Sequence, residues 1–301
     1  MAPISTHHAS AAAVVSAVRT TPHCDTNGGH QFTYTNEDFE RIRTLIYQTA
    51  GISLNPHKQH MVYSRLARRL RVRDLYSFRD YLDLIEEGDH QELEAFINAL
   101  TTNLTSFFRE PHHFAILATH LQEQARRRST LSIWSCAASS GEEPYSIAMT
   151  VVELFGSFTP PVRIFASDID TNALELASQG IYPDERVHSL SPERMRRFFL
   201  RGEGKNAGFV RIKPELQKLV TFGRKNLLDD DWGFREQFDS IFCRNVMIYF
   251  DKETQYRILK KFVPRLQPDG RFFAGHSENF HQATDLLRLC GKTVYRPVVG
   301  C

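Results

Sequence analysis

The stretch Leu131-Ser132-Ile133-Trp134-Ser135-Cys136-Ala137-Ala138-Ser139-Ser140-Gly141-Glu142-Glu143-Pro144 decides the fold. Its first five residues read as a short buried strand, the small residues that follow as a turn, and Pro144 as the opening of a helix. A strand that passes through such a turn into a helix is the first unit of a parallel α/β sheet. The turn also lets a ligand approach the backbone N–H groups at the helix start. It is not G-x-G-x-x-G, which disfavours a pyrophosphate dinucleotide, and the two adjoining carboxylates point to a smaller, cationic ligand. Glu142 and Glu143 can equally do no more than complement the positive end of the helix.

Downstream, short branched and aromatic runs alternate with helical spacing, which predicts a sheet covered on both faces. Strands are expected at 131–135, 162–167, 219–222, 240–243, 271–274 and 293–296, and helices at 144–155, 171–178 and 252–266, with Pro268-Asp269-Gly270 as a turn. Residues 180–216 are too long for a plain connection. With helical spacing around 194–200 and alternation in Phe209-Val210-Arg211-Ile212, they read as an inserted β-subdomain.

Two more strand ends carry polar groups. Asp168 closes the second strand about 25 residues beyond Gly141, near the spacing at which doubly wound folds set a carboxylate on a ribose diol. Its neighbour Asp170 suits the cap of the helix at Thr171. At the end of the fourth strand, Arg244, Asn245 and Tyr249 face the crevice where such sheets bind ligands, although the Tyr249 ring could simply pack beneath the next helix.

Upstream, residues 33–121 carry apolar positions at helical spacing and form a helical domain, while residues 1–32, rich in Ala, Ser, Thr and His, read as a poorly ordered tail outside the fold. The second domain is then 122–301. On composition, Asn103-Leu104-Thr105-Ser106-Phe107-Phe108-Arg109-Glu110 is a helix cap with a core pair of aromatics. Between Asn55 and Arg73 stand Lys58, Arg65, Arg68, Arg69, Arg71 and Arg73 with no acid among them. On a helix Arg65, Arg69 and Arg73 align beside Arg68, opposite the apolar stripe of Val62, Leu66 and Leu70, so a basic face is expected outward.

A net charge of +2 over 301 residues gives no general case for nucleic acid, and five scattered cysteines without a C-x-x-C pair suggest neither disulfides nor zinc. A reducing cytoplasm is expected. No apolar run is long enough to span a bilayer, and the stretch 11–18 lacks the basic flank of a signal peptide.

Five ordered blocks together resemble the chemoreceptor glutamate methyltransferases, the CheR family. They are Asn103-Leu104-Thr105 with Phe107-Phe108-Arg109-Glu110, Ser139-Ser140-Gly141-Glu142-Glu143-Pro144, Ala166-Ser167-Asp168-Ile169-Asp170, Phe242-Cys243-Arg244-Asn245-Val246-Met247-Ile248-Tyr249-Phe250, and Gly275-His276-Ser277-Glu278. The resemblance implies an all-α N-terminal domain before a Rossmann-like S-adenosylmethionine-dependent methyltransferase domain with a small inserted β-subdomain. The implied product of the donor is S-adenosylhomocysteine. The implied cofactor contacts are Asn103, Thr105, Arg109, Glu143, Asp168, Asn226, Leu227, Arg244 and Asn245, with Glu143 suited to the methionine amino group and Asp168 to the ribose. A sulfonium methyl is activated and a carboxylate is a nucleophile, so alignment is the chief task. Arg109 and Tyr249 are expected to hold the accepting carboxylate.

The partner implied is the cytoplasmic helical domain of a membrane-bound receptor, met by Arg65, Arg68, Arg69 and Arg73. A tethering peptide at the receptor C-terminus is implied for the loop holding Gly202, Gly204 and Gly208, next to an edge strand. A nucleic-acid methyltransferase lacks support, because the fourth strand has no Asn/Asp-Pro-Pro-aromatic corner and no aromatic platform accompanies the arginines. A non-catalytic adaptor is opposed by the intact Arg109, Asp168, Asn245 and Tyr249. His112, His113 and His276 are expected in capping or buried roles, not as metal ligands.

Overall fold

The computed structural model describes residues 32–298, and the expected tail lies outside the described residues except for Phe32, which is buried. The described residues begin with four α-helices: α1 (Asn36–Ala50), α2 (Gln59–Val72), α3 (Phe78–Glu86) and α4 (His90–Leu100). Each start but that of α2 has a side-chain cap, from Thr35, Ser77 and Asp89, and Thr35 with Asp38 forms a reciprocal capping box. Their apolar faces close one core around Phe39, Ile42, Leu66, Tyr81 and Phe96.

Helix α5 (His112–Gln124) does not belong to that core. Phe114, Leu117 and Leu121 face the sheet, so the change of packing partner falls near residues 101–107 and not at 121 as expected from the sequence. Apolar spacing alone marks a helix but not the element that covers it.

The remaining elements are β1 (Leu131–Ser135), α6 (Glu142–Phe155), β2 (Val162–Asp168), α7 (Thr171–Gln179), β3 (Ile181–Pro183), α8 (Pro192–Phe198), β4 (Phe199–Arg201), β5 (Phe209–Ile212), α9 (Pro214–Gln217), β6 (Val220–Arg224), β7 (Phe238–Cys243), α10 (Lys252–Phe262), β8 (Leu266–Ala274), β9 (Leu287–Gly291) and β10 (Val294–Pro297). Seven strands form one sheet in the order β6-β2-β1-β7-β8-β10-β9. It is parallel from β6 to β8 and antiparallel at β10 and β9.

Strand alternation divides the core between the two faces: Leu131, Ile133, Phe242 and Phe273 enter one cluster and Trp134, Ile241 and Phe272 the other. The chain runs outward from β1 through β2 to β6, then returns to the other side of β1 with β7. That reversal opens a crevice at the carboxyl ends of β1, β2 and β7.

Three local expectations change. Pro268-Asp269-Gly270 lies inside β8, where Leu266 and Arg271 pair with Phe238 and Ser240, so the extra residues bulge without ending the strand. Strand β9 adds an edge that the sequence reading lacks. In the insertion β3-β5-β4 is an antiparallel sheet, and Phe209–Ile212 is its central strand while Phe199–Arg201 lies at the edge.

Candidate active site

A cavity of about 470 Å3 lies at that crevice, between the helical domain and the sheet, a size suited to a small organic ligand. Arg109, Glu143, Asp168, Arg244, Asn245 and Tyr249 line it, and so do Asn103 and Thr105. Lys58, Met61 and Arg65 reach it from the helical domain.

The turn after β1 is built for close approach. Gly141 sits at φ +98°, and a Cβ there would meet the Tyr182 hydroxyl at 2.8 Å and the Ala177 Cβ at 2.9 Å. Ser139 adopts φ 49°, and of the six described non-glycine residues at positive φ, Phe108, Glu110, Ser139 and Asn245 belong to the three segments that meet here. Each such residue costs on the order of 1–3 kcal/mol, which the packing around it must offset.

Glu143, in the first turn of α6, is buried and accepts from Ser135 Oγ at 2.8 Å and from Arg244 Nη1 at 2.9 Å. Burial pushes its carboxyl up, and the Arg244 charge opposes that rise. Arg244 turns its other nitrogen to the Arg109 carbonyl at 2.5 Å and lies 3.4 Å from Glu110. Its Nε is buried and, among the described residues, has no hydrogen-bond partner. A carboxylate held at the cavity wall suits the ammonium of an amino-acid group.

Asp168 accepts from the backbone N–H of Ser139 at 2.7 Å and of Asp170 at 3.0 Å. Burial pushes its carboxyl up to about 6, against the pull of those N–H groups. Its free lone pairs suit the paired hydroxyls of a diol. Asp170 is the cap of α7, accepting from Ala173 N, and its second oxygen takes the Thr101 hydroxyl and the Asn103 amide, each at 2.6 Å. Asp170 thus takes the capping role, while Asp168 lines the cavity.

Arg109 is fixed by a hydrogen bond of 2.9 Å to the Leu104 carbonyl. Tyr249 ends a short 3₁₀ turn (Met247–Tyr249), its carbonyl takes the Ser53 N–H at 2.8 Å, and the residue lines the cavity. The structure does not bring Asn226 and Leu227 to the cavity wall. The Asn226 amide donates to the Thr49 carbonyl at 2.7 Å, and Leu227 is buried in the sheet's second core.

His112, His113 and His276 do not line the cavity; His113 is buried, and the His276 side chain is exposed. Glu110 accepts from the backbone and ring of His276, and Arg244 and His276 overcome the effect of burial to hold its carboxyl down at about 2. Burial, with Arg244 nearby, drives His113 down to about 4, so its ring is neutral at pH 7. Glu110, His112 and His113 present three possible metal-ligand atoms, but the Glu110 oxygen there already faces the Arg244 guanidinium, and a second cation would meet like charge.

The expected outward basic face is mostly spent inside the domain. Arg65 donates to the carbonyls of Leu100 and Thr101 at the end of α4, at 3.0 and 2.6 Å. Arg69 grips the buried Glu92 with two hydrogen bonds, and Arg73 pairs with Asp89 at 2.6 Å. Arg68, Arg71 and Arg73 are nevertheless exposed, Arg71 with its guanidinium 5.4 Å from the Phe32 ring. A helical wheel of α2 shows the stripe but not the acids of α4 that lie against it.

Sequence reasoning missed Ser135, which holds Glu143, and Arg186, which reaches from the insertion to the Thr105 carbonyl at 3.2 Å and to Glu142 at 3.3 Å. Ser135 closes a strand in the quoted turn and was within reach of the reading, whereas Arg186 carries no local signal.

Two family models match the chain: "CheR methyltransferase, SAM binding domain" over residues 103–296 and "CheR methyltransferase, all-alpha domain" over residues 37–101. Chemotaxis protein methyltransferase 2 of Pseudomonas aeruginosa is 54% identical over 270 residues, which cover 90% of this chain and 96% of that protein. The chemotaxis protein methyltransferase of Klebsiella aerogenes is 55% identical across 85% of this chain and 88% of its own. That of Escherichia coli is 54% identical across 85% and 89%.

Proposed function

The chain belongs to the CheR methyltransferase family and takes S-adenosylmethionine as its cofactor, and from that premise we infer that it esterifies glutamate side chains on the cytoplasmic helical domain of chemoreceptors, the modification that adapts a receptor to a lasting stimulus. The observation that carries this reading is the composition of one cavity. It joins the Glu143–Arg244 pair and Asp168, which suit the amino-acid and ribose parts of the cofactor, to Arg109 and Tyr249, with Lys58 and Arg65 at the same wall. Four cationic side chains against two carboxylates favour an acidic acceptor.

When bound, S-adenosylmethionine supplies a methyl on a sulfonium centre, which needs no further activation. The protein's task is then to hold the acceptor. Arg109 offers a fixed guanidinium and Tyr249 a phenol, and both can hydrogen-bond a carboxylate without taking a proton from it. No histidine lines the cavity among the described residues, and a glutamate that is already ionised requires no base. The Arg244 and Glu143 side chains, each buried and tied to the other, keep the amino-acid end from shifting.

The receptor face is assigned to α2, with the exposed Arg68 free to meet acidic helices, the exposed Arg71 and Arg73 beside it, and Arg65 and Arg69 shaping the surface from within. A receptor C-terminal peptide would add as a strand along Phe199–Arg201, beside the loop with Gly202, Gly204 and Gly208. The exposed Ile181, Leu200 and Phe209 offer it apolar contact. The site of action is the cytoplasmic side of receptor arrays. Among the described residues no helix is long and apolar enough to cross a membrane.

Peptide mapping of a receptor cytoplasmic domain incubated with the protein and S-adenosylmethionine tests the acceptor. Glutamate-bearing peptides should gain the mass of one methylene, and a gain confined to lysine- or arginine-bearing peptides would refute it.

A further inference from the structure

Strands β7 and β8 end side by side, and the chain leaves both at one point. After β7, residues 245–249 carry Asn245 and Tyr249 to the cavity; after β8, residues 275–278 turn back on themselves, with the Glu278 N–H bonded to the Gly275 carbonyl at 2.9 Å. Between the two turns lies the buried Glu278 carboxylate. One oxygen accepts from the N–H of Asn245 at 3.0 Å and of Gly275 at 2.5 Å, and the other from Val246 at 3.0 Å and Met247 at 2.8 Å.

Three consecutive N–H groups of the loop thus converge on one side chain. Asn245 is at φ 58°, the left-handed conformation that turns successive N–H groups into one concavity. The approach is close enough that a Cβ on Gly275 would lie 2.9 Å from the Asn245 backbone nitrogen and 2.3 Å from its side-chain Nδ2. On the other side, the buried Gln255 of α10 donates to the Met247 and Phe250 carbonyls at 2.8 and 3.0 Å, so the loop is held at both its donors and its acceptors.

A helix or strand would satisfy these N–H groups with carbonyls; a segment that must present Asn245 and Tyr249 in irregular backbone needs an acceptor from elsewhere. A neutral side chain has too few acceptor sites for four donors, whereas an ionised carboxylate has about four. We propose that Glu278 is a positioning residue of the methyl transfer: its carboxylate sets the conformation of residues 245–249, and through it the placement of Asn245 toward the cofactor and of Tyr249 toward the accepting carboxylate. This rests on the cofactor and acceptor assignments above for its consequence in turnover, but not for its structural content.

The substitution Glu278→Gln keeps the shape and turns an amide nitrogen toward two of the four donors. In the full chain without cofactor, hydrogen exchange at Asn245, Val246 and Met247 should quicken by about tenfold or more while the amides of β1 and α1 keep their protection. Turnover per folded molecule should fall by between about tenfold and a hundredfold, with receptor KM within about twofold of the parent. Glu278→Asp, which keeps the charge but is one methylene shorter, should recover part of both.

Unchanged exchange in the loop, or unchanged turnover per folded molecule, would overturn the proposal, since a merely structural carboxylate would lower the thermal midpoint alone. Should Glu278→Gln not fold, exchange in the parent chain decides: protected amides at residues 245–247 support the assignment and rapid exchange refutes it. If the parent transfers no methyl to receptor, the acceptor assignment fails, and the exchange result still judges Glu278.

Discussion

Arg244 donates to Glu143 at 2.9 Å with both side chains buried, so this carboxylate, proposed to meet the cofactor's amino group, is held by a cation and not by solvent. Removing Arg244 leaves Glu143 as an unpaired buried charge, at a cost of roughly 3–5 kcal/mol, whereas removing Glu143 leaves Arg244 with Glu110 at 3.4 Å. Arg244→Ala should therefore lower the thermal midpoint as well as abolish measurable S-adenosylhomocysteine binding. Glu143→Gln, which keeps a neutral acceptor, should lose binding with a smaller change in stability. Calorimetric titration alongside thermal denaturation separates the two effects.

Cofactor affinity should depend on pH through Asp168. The diol is best accepted by the ionised form, and burial places the carboxyl of the free protein at about 6. Affinity is then constant above that pH and weakens by up to about tenfold per pH unit below it, as proton and ligand compete. Asp168→Asn should bind weakly at every pH and lose the inflection. A titration series with S-adenosylhomocysteine between pH 5 and 8 reads both, and a flat profile for the parent protein would contradict the assignment.

Arg69 and Arg68 are neighbours with different tasks. Arg69 neutralises the buried Glu92, so Arg69→Ala should destabilise the helical domain by about 3 kcal/mol, and any loss of methylation would follow from that. Arg68 is exposed, and Arg68→Glu should leave the thermal midpoint unchanged while slowing receptor methylation more at low salt than at high. A salt-independent rate for Arg68→Glu would remove α2 from the receptor surface.

The phenol of Tyr249 is assigned to the accepting carboxylate, and a hydrogen bond to a charged group contributes roughly 1.5–3 kcal/mol. Tyr249→Phe should lower kcat by about tenfold to a hundredfold and leave S-adenosylhomocysteine affinity unchanged. Arg109→Ala should depress both, because Arg109 lines the cavity and is proposed to meet both cofactor and acceptor. Normal turnover in both variants would end the assignment.

Much of this site is legible in the sequence because its chemistry sits at strand ends. The run from Leu131 to Gly141 shows a strand and a turn of small residues, and Asp168 and Arg244 fall where the next buried strands stop. What the sequence does not show is which partner each group meets. The stripe of Arg65, Arg69 and Arg73 looks exposed until α4 brings Glu92 and Asp89 against it. Strand β9 has one buried residue in five, so no alternation announces it. Pro268-Asp269-Gly270 has turn composition but is absorbed as a bulge between two long strands. Asn226 is among the cofactor contacts the resemblance implies, yet its amide is taken by Thr49 from the helical domain, a contact 177 residues away in the chain.

The most direct test is transfer of labelled methyl from S-adenosylmethionine to a purified receptor cytoplasmic domain, followed by mild base. A carboxyl ester releases its methyl as methanol under those conditions, and an amine does not. Label that enters the receptor and leaves as methanol is the result expected here, lost with Arg109→Ala. Label that stays on the receptor through base treatment would contradict glutamate as the acceptor.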